Sequence, residues 1–196
     1  MKLQIVQAGD PVLRKQSRAL SKEEISSPSI QHLIELMRDT MRDAPGVGLA
    51  APQIGESIQL AVIEDREAYI TDLSADQLAV RQRSAIPFHV IINPKLSFLD
   101  NSSAQFFEGC LSVAGFSAIV DRALKVRVEC LNERGEPVTI KAQGWYARIL
   151  QHEIDHLNGT LYIDRMKTRT LTTAENMFLF WKSRSIQQVL TELGCE

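Results

Sequence analysis

Gln151-His152-Glu153-Ile154-Asp155-His156 places two imidazoles four residues apart, with a carboxylate beside the first. Residues four apart on an α-helix face the same way, so His152 and His156 together would hold one divalent metal ion. This H-E-x-x-H spacing suits hydrolysis, with Glu153 as the base for a metal-bound water. A catalytic site of this kind takes three protein ligands and keeps a fourth position open. The motif supplies two, and a third must come from elsewhere in the chain.

Three sources are available. A third histidine after x-x-G-x-x is excluded, because Gly159 is in place but Tyr162 stands where that histidine would be. Glu175, downstream, would complete the set of a thermolysin-like endopeptidase. Cys110, in Glu108-Gly109-Cys110-Leu111-Ser112, would add a thiolate. Spacing alone leaves Glu175 and Cys110 both open. A metal-stabilised binding module without catalysis is a further alternative.

The elements that must position these residues follow from periodicity and punctuation. The motif helix spans 143–158 and ends at Gly159, with Trp145, Ile149, His152 and His156 on one stripe. An N-terminal helix opens with Ser27 as N-cap and Pro28 at the first helical position. Its stripe is Ile30, Leu33, Ile34, Met37 and Met41. Residues 60–63 form a buried strand, and 90–92 form another that Asn93-Pro94 stops. The polar stretch 64–84 reads as a surface insertion with a short helix over 75–82. Residues 126–131 and 138–140 flank Asn132-Glu133-Arg134-Gly135-Glu136 as a hairpin. A last helix opens on a capping box of Thr172 and Glu175 and carries Met177, Phe178 and Trp181, taken as core packing, then Ile186, Val189, Leu190 and Leu193. The fold class is α+β. A single domain over 1–196 has small antiparallel or mixed sheets packed around the central metal-binding helix, with a helix toward each terminus.

Composition excludes several classes. With 196 residues, 44% hydrophobic, 23% charged and a net charge of −2, no basic field draws the chain to nucleic acid or an anionic membrane. No apolar run approaches the roughly 20 residues that span a bilayer. The first residues lack the pattern of a signal or transit peptide. Three scattered cysteines make no disulfide framework. The expected compartment is a reducing cytoplasm, where Cys110 can be a thiolate.

Three segments resemble the signature motifs of the peptide deformylase family: Gly46-Val47-Gly48-Leu49-Ala50-Ala51-Pro52-Gln53, Glu108-Gly109-Cys110-Leu111-Ser112 and His152-Glu153-Ile154-Asp155-His156. They stand in the family's order, and the likeness runs from Gly9-Asp10-Pro11-Val12-Leu13-Arg14 to Tyr162-Ile163-Asp164. Val113-Ala114-Gly115-Phe116 and Gly144-Trp145-Tyr146-Ala147-Arg148 resemble the mitochondrial and plant branch.

The resemblance selects Cys110 over Glu175 and implies a site. Cys110, His152 and His156 would hold one divalent metal, Fe²⁺ in the natural state, with Zn²⁺, Ni²⁺ or Co²⁺ also able to bind. The implied reaction removes the formyl group from the N-formylmethionine of new polypeptides and releases formate. Glu153 would be general base and acid, while the Gln53 amide and the Leu111 backbone N–H would meet the developing oxyanion. Gly46, Val47, Gly48, Glu108, Gly109, Trp145 and Ile149 would bind substrate. Asp155 is expected to pair with Arg122. The implied partners are formylmethionyl nascent chains. Transient ribosome association through the C-terminal helix would rest on Lys182 and Arg184, set against Glu175 and Glu192.

Overall fold

In the computed structural model, which describes residues 2–195, a five-stranded antiparallel sheet has helices on both faces. Its strands are β1 (Gly48–Ala50), β2 (Leu60–Asp65), β3 (Ile86–Phe98), β6 (Lys125–Leu131) and β7 (Pro137–Gln143), in that spatial order. A second antiparallel sheet contains β4 (Ser103–Cys110), β5 (Val113–Ala123) and β8 (Thr172–Thr173). The helices are α1 (Lys22–Ile25), α2 (Pro28–Asp43), α3 (Ala75–Arg81), α4 (Gly144–Leu157), α5 (Ala174–Asn176) and α6 (Ile186–Leu193). The α+β architecture matches the expectation, and both sheets are antiparallel rather than mixed.

The central position of α4 follows from burial on both faces of the larger sheet. Leu60 and Val62 pack into the cluster with Met37 and Met41 of α2. Ala61 and Ile63, alternating with them along the strand, join the cluster with Ala147, Leu150 and Ile154 of α4. A strand covered on both sides reads as a continuous apolar run, as residues 60–63 do. Helix α2 starts where expected, with the Ser27 hydroxyl accepting from the Ile30 N–H and Pro28 in the first turn.

Two local expectations need correction. Asn93-Pro94 does not stop a strand, because β3 runs through it as a bulge, with Asn93 at φ 51°. Asparagine tolerates the left-handed region, and a bulge accommodates proline. The Asn93 amide also clamps the chain, donating to the Leu20 carbonyl at 2.8 Å and accepting from the Leu20 N–H at 2.9 Å. The last helix is three pieces: α5, a widened π-helical turn over Met177–Trp181, and α6. Thr173 rather than Thr172 caps α5, its hydroxyl accepting from the Asn176 N–H. Ser185 restarts the helix through a capping box with Gln188.

The polar segment 64–84 ends against the start of α4. Gln82 caps α3 at φ 48°, one residue earlier than the expected helix end. Its Cβ and the Arg81 carbonyl press on Gly144, at φ 61°, where an added Cβ would lie 2.4 and 2.8 Å from them. Arg83 is anchored to the fully buried Asp65 by two hydrogen bonds of 2.7 and 2.9 Å. Gly144→Ala therefore combines left-handed strain, about 1–2 kcal/mol, with a clash against backbone. It is expected to lower Tm by roughly 4–8 °C in calorimetry, for a loss of about 2 kcal/mol. An unchanged Tm would mean that the contact is not tight.

Candidate metal centre and cleft

Helix α4 presents His152 and His156 one turn apart with Glu153 beside the first, and the end of β4 brings Cys110 to them. A register shift between Gly109 and Cys110 turns the thiol out of the ladder. Sγ lies 3.3 Å from His156 Nε2 and accepts from the Ser112 N–H at 3.4 Å. One donor atom from each of Cys110, His152 and His156 falls within 4.8 Å of the others. The rival ligand Glu175 is exposed in α5 and is not part of this group. Tyr162, which displaced a third histidine from the sequence pattern, stacks on the His152 ring, 6.3 Å between centroids and 19° between planes.

The orientation of these donors comes from a layer beneath them. His152 Nδ1 faces Glu108 Oε2 at 3.0 Å, which leaves Nε2 for the cleft side. Arg122 grips both Glu108 oxygens from Nε and Nη2 at 3.0 and 2.9 Å, and its Nη1 donates to Asp155. The expected Arg122–Asp155 pair is thus present, inside a larger network. Arg148 donates to Glu108 Oε1 at 2.6 Å and to the Val120 and Ala104 carbonyls at 3.1 and 2.6 Å. Arg165 closes the far side with bonds of 2.6 and 2.7 Å to Asp155.

Charge follows from this geometry. Burial alone would push the Glu108 carboxyl up, but His152 and Arg122 outweigh it and hold it well below the usual carboxylate range. Burial, helped by the His152 charge, keeps His156 well below its ordinary value and therefore neutral. Burial would also lower His152, but Cys110 and Glu108 raise it instead, so a cation arriving there would displace a proton. Glu153 is 3% exposed, its Oε2 has no partner, and burial pushes it up to about 7.

The residues fit a metal ion. A thiol and two imidazoles converge, and one imidazole is aimed by a carboxylate in the manner of a second coordination layer. His156 Nδ1 is buried without a partner, while its Nε2 is directed at the thiol.

Facing these groups is a cleft of about 580 Å³ lined by all of the expected residues except His156, which sits below its floor. Gly48 lies against Glu153, so closely that a Cβ there would come 2.2 Å from the carboxylate. Gln53 is buried and pinned, accepting from the Ala50 N–H at 2.9 Å with Oε1 and pointing Nε2 at Cys110 Sγ, 3.5 Å away. Val47, Leu111, Trp145 and Ile149 give an apolar wall. Trp145 packs edge-on to Phe106, 5.9 Å between centroids, with the Arg83 guanidinium 5.0 Å from its ring. Glu108 and Gly109 reach the cleft too, but both Glu108 oxygens are engaged behind His152.

Sequence reasoning missed Arg148, four residues before His152 on the same helix face. It also missed the far cleft wall of Phe116, Ala174, Met177, Phe178 and Lys182. Phe178, expected in the core, is 65% exposed, whereas Trp181 packs with Ile119, Val189 and Leu190.

Comparison with known proteins agrees with this geometry. The family model for polypeptide deformylase matches residues 2–172. The chain is 52% identical over 175 residues to the chloroplastic peptide deformylase 1A of Solanum lycopersicum, covering 89% of this chain but 63% of that protein. It is 43% identical to peptide deformylase 3 of Streptomyces avermitilis, covering 98% and 84% of the two chains. Among solved structures, the Met-Ala-Ser-bound class I type b peptide deformylase of Acinetobacter baumannii superposes with a TM-score of 0.75 at 31% identity, over 85% of this chain and 99% of that one.

Proposed function

The chain belongs to the polypeptide deformylase family, and from that premise we propose that it removes the formyl group from the N-formylmethionine of newly made polypeptides, releasing formate. The observation that carries this reading is the convergence of Cys110, His152 and His156 beside the unpaired, buried Glu153 carboxylate and the pinned Gln53 amide. The catalytic unit is the single domain over 1–196.

Cys110, His152 and His156 would hold the metal, with Fe²⁺ the natural occupant and Zn²⁺, Ni²⁺ or Co²⁺ accepted by the same mixed donor set. When bound, the cation supplies Lewis acidity, polarising the formyl carbonyl and making water a stronger acid. Glu153 takes the proton of the attacking water and returns it to the leaving amine. The Gln53 Nε2–H and the Leu111 backbone N–H donate to the oxygen that gains negative charge, each such donor typically contributing about 2.7–4 kcal/mol. Gly46 and Gly48 let the peptide backbone approach β1 as an added strand. The methionine side chain enters between Val47, Leu111, Trp145 and Ile149, in the cleft that Gly109 also lines. Glu108 serves substrate indirectly, by aiming His152.

The partners are formylated nascent chains, met in a reducing cytoplasm. Among the described residues no helix is long and apolar enough to cross a membrane. The C-terminal helix offers a ribosome little free positive charge, since Arg184 is engaged with Glu192.

The test is metal analysis of anaerobically purified protein together with formate release from formyl-Met-Ala-Ser. Cys110→Ser is expected to strip the metal and the activity, while Glu175→Gln leaves both intact. A metal-loaded chain that releases no formate, or a Cys110→Ser protein that keeps its metal, would remove the reading.

A further inference from the structure

The turn that carries Leu111 lacks the usual means of holding its own shape. Cys110 of β4 pairs with Val113 of β5, so Leu111 and Ser112 are the two central residues of a tight hairpin turn. Two-residue turns usually take a left-handed φ at one or both central positions, which matches the twist of the strands they join. Neither Leu111 nor Ser112 does so. The peptide planes of this turn are therefore set by what bonds to them from outside.

Those bonds come from a segment outside all three signature motifs. The Ala8 N–H donates to the Ser112 carbonyl at 2.7 Å. The Gln7 side chain spans the turn, with Nε2 donating to the Leu111 carbonyl at 3.0 Å and Oε1 accepting from the Ala114 N–H at 3.3 Å. A longer contact of 3.4 Å also ties Nε2 to the Ile5 carbonyl. One residue before Gln7, the Val6 N–H donates to the Gln53 carbonyl at 2.9 Å. Gln53 in turn reaches the same turn with its side chain, Nε2 lying 3.3 Å from Ser112 Oγ. Residues 6–8 thus bond to both loops that supply an oxyanion donor. Gln7 is exposed and does not line the cleft. An exposed amide gains little stability by exchanging water for protein partners, so its bracket bears on geometry more than on stability.

We propose that Gln7 is a positioning residue for the reaction: by bracketing Leu111 and Ala114 it keeps the Leu111 N–H aimed at the oxygen that gains negative charge. Val6 and Ala8 hold that turn in register with Gln53. This rests on the function proposed above. The Leu111 N–H and carbonyl belong to adjoining planar peptide units that meet at one Cα, so tying the carbonyl limits the rotation that would swing the N–H away. An oxyanion donor acts by being in place beforehand, and loss of aim costs rate rather than substrate binding.

The experiment compares wild type, Gln7→Met and Gln7→Glu at equal metal content, with Fe²⁺ for turnover and diamagnetic Zn²⁺ for NMR. Methionine keeps the length and loses both bonds. Glutamate keeps the acceptor for Ala114 and sets a carboxylate against the Leu111 carbonyl. Gln7→Met is expected to lower kcat for formyl-Met-Ala-Ser about three- to tenfold, the span of one lost hydrogen bond. KM should stay within about twofold of wild type. Gln7→Glu should lower kcat at least as far. Amide hydrogen exchange reads the bracket without turnover: the Ala114 N–H should lose protection in Gln7→Met and keep it in Gln7→Glu. Tm should stay within about 2 °C in both, as for a surface substitution. The positioning role is overturned if Ala114 loses protection in Gln7→Met while kcat falls less than about twofold. A loss that appears in KM, or that tracks metal content or Tm, would also overturn it and leave Gln7 a structural residue. Unchanged Ala114 protection in Gln7→Met would overturn the bracket itself. Absence of formate from formyl-Met-Ala-Ser with the wild type would instead sink the function, and the positioning role with it.

Discussion

Glu153→Gln is expected to lower kcat/KM for formyl-Met-Ala-Ser by about a hundred- to ten-thousandfold while leaving the metal content unchanged. The substitution keeps the volume and removes only the ability to accept and return a proton. No neighbouring carboxylate can take over, because both oxygens of Glu108 are held by Arg122, Arg148 and His152. Gly48 presses on Glu153 from the cleft side, so the amide has little freedom to find another position. Burial places the carboxyl at about 7, so wild-type activity should fall as pH drops and the carboxylate takes up a proton. A cation at Cys110, His152 and His156 draws that acid limb to lower pH. Activity within tenfold of wild type, at equal metal content, would remove Glu153 from its role.

Arg122→Met is expected to cost about 3–5 kcal/mol of stability, because it leaves buried carboxylates short of a partner. Arg122 is 4% exposed and satisfies Glu108 and Asp155 at once. Against a usual total of about 5–15 kcal/mol this is a large fraction. The corresponding fall in Tm is roughly 6–20 °C. Arg122→Lys restores the charge without the two-pronged geometry and should recover only part of the loss. The pH dependence has a definite sign. Glu108 is held below the ordinary value, so its contribution is present above the unfolded carboxyl's pKa of about 4.3 and is lost as pH falls through the folded value. Urea titrations of wild type and variant should therefore converge as the pH is lowered from 5 to about 3. Parallel curves over that range would show that the network is not what Arg122 stabilises.

The parts of the site that a local pattern can carry were legible in the sequence. His152, Glu153 and His156 share one helix face, and a spacing of four needs no knowledge of the rest of the chain. The capped start of α2 and the β6–β7 hairpin are local in the same sense. Cys110 lies on another element, and only the company of the other two motifs preferred it to Glu175. Asn93-Pro94 misled because a bulge and a strand end use the same residues, and only the Leu20 clamp distinguishes them. The C-terminal break was missed for a different reason. The run Phe178-Leu179-Phe180-Trp181 has no single apolar face, and the Ser185–Gln188 capping box restarts the helix in the middle of what reads as one apolar stripe. The network around Glu108 was least visible, since its charges come from β4, β5, α4 and Arg165. Only the Arg122–Asp155 pair was anticipated.

The segment that ends against Gly144 bears on how this pocket could be moved or copied. Gln82 fills the space above Gly144, and Arg81 and Arg83 roof the Trp145 ring, 6.0 and 5.0 Å from its centre. Trp145 is thus not a freestanding determinant of pocket shape. Grafted alone into a scaffold with a shorter segment, it would lose its roof and keep an indole N–H that finds no partner even here. The transferable module is the pair, residues 64–84 together with the first turn of α4. In a lineage of such chains the length of that segment and the size of residue 145 would be inherited together.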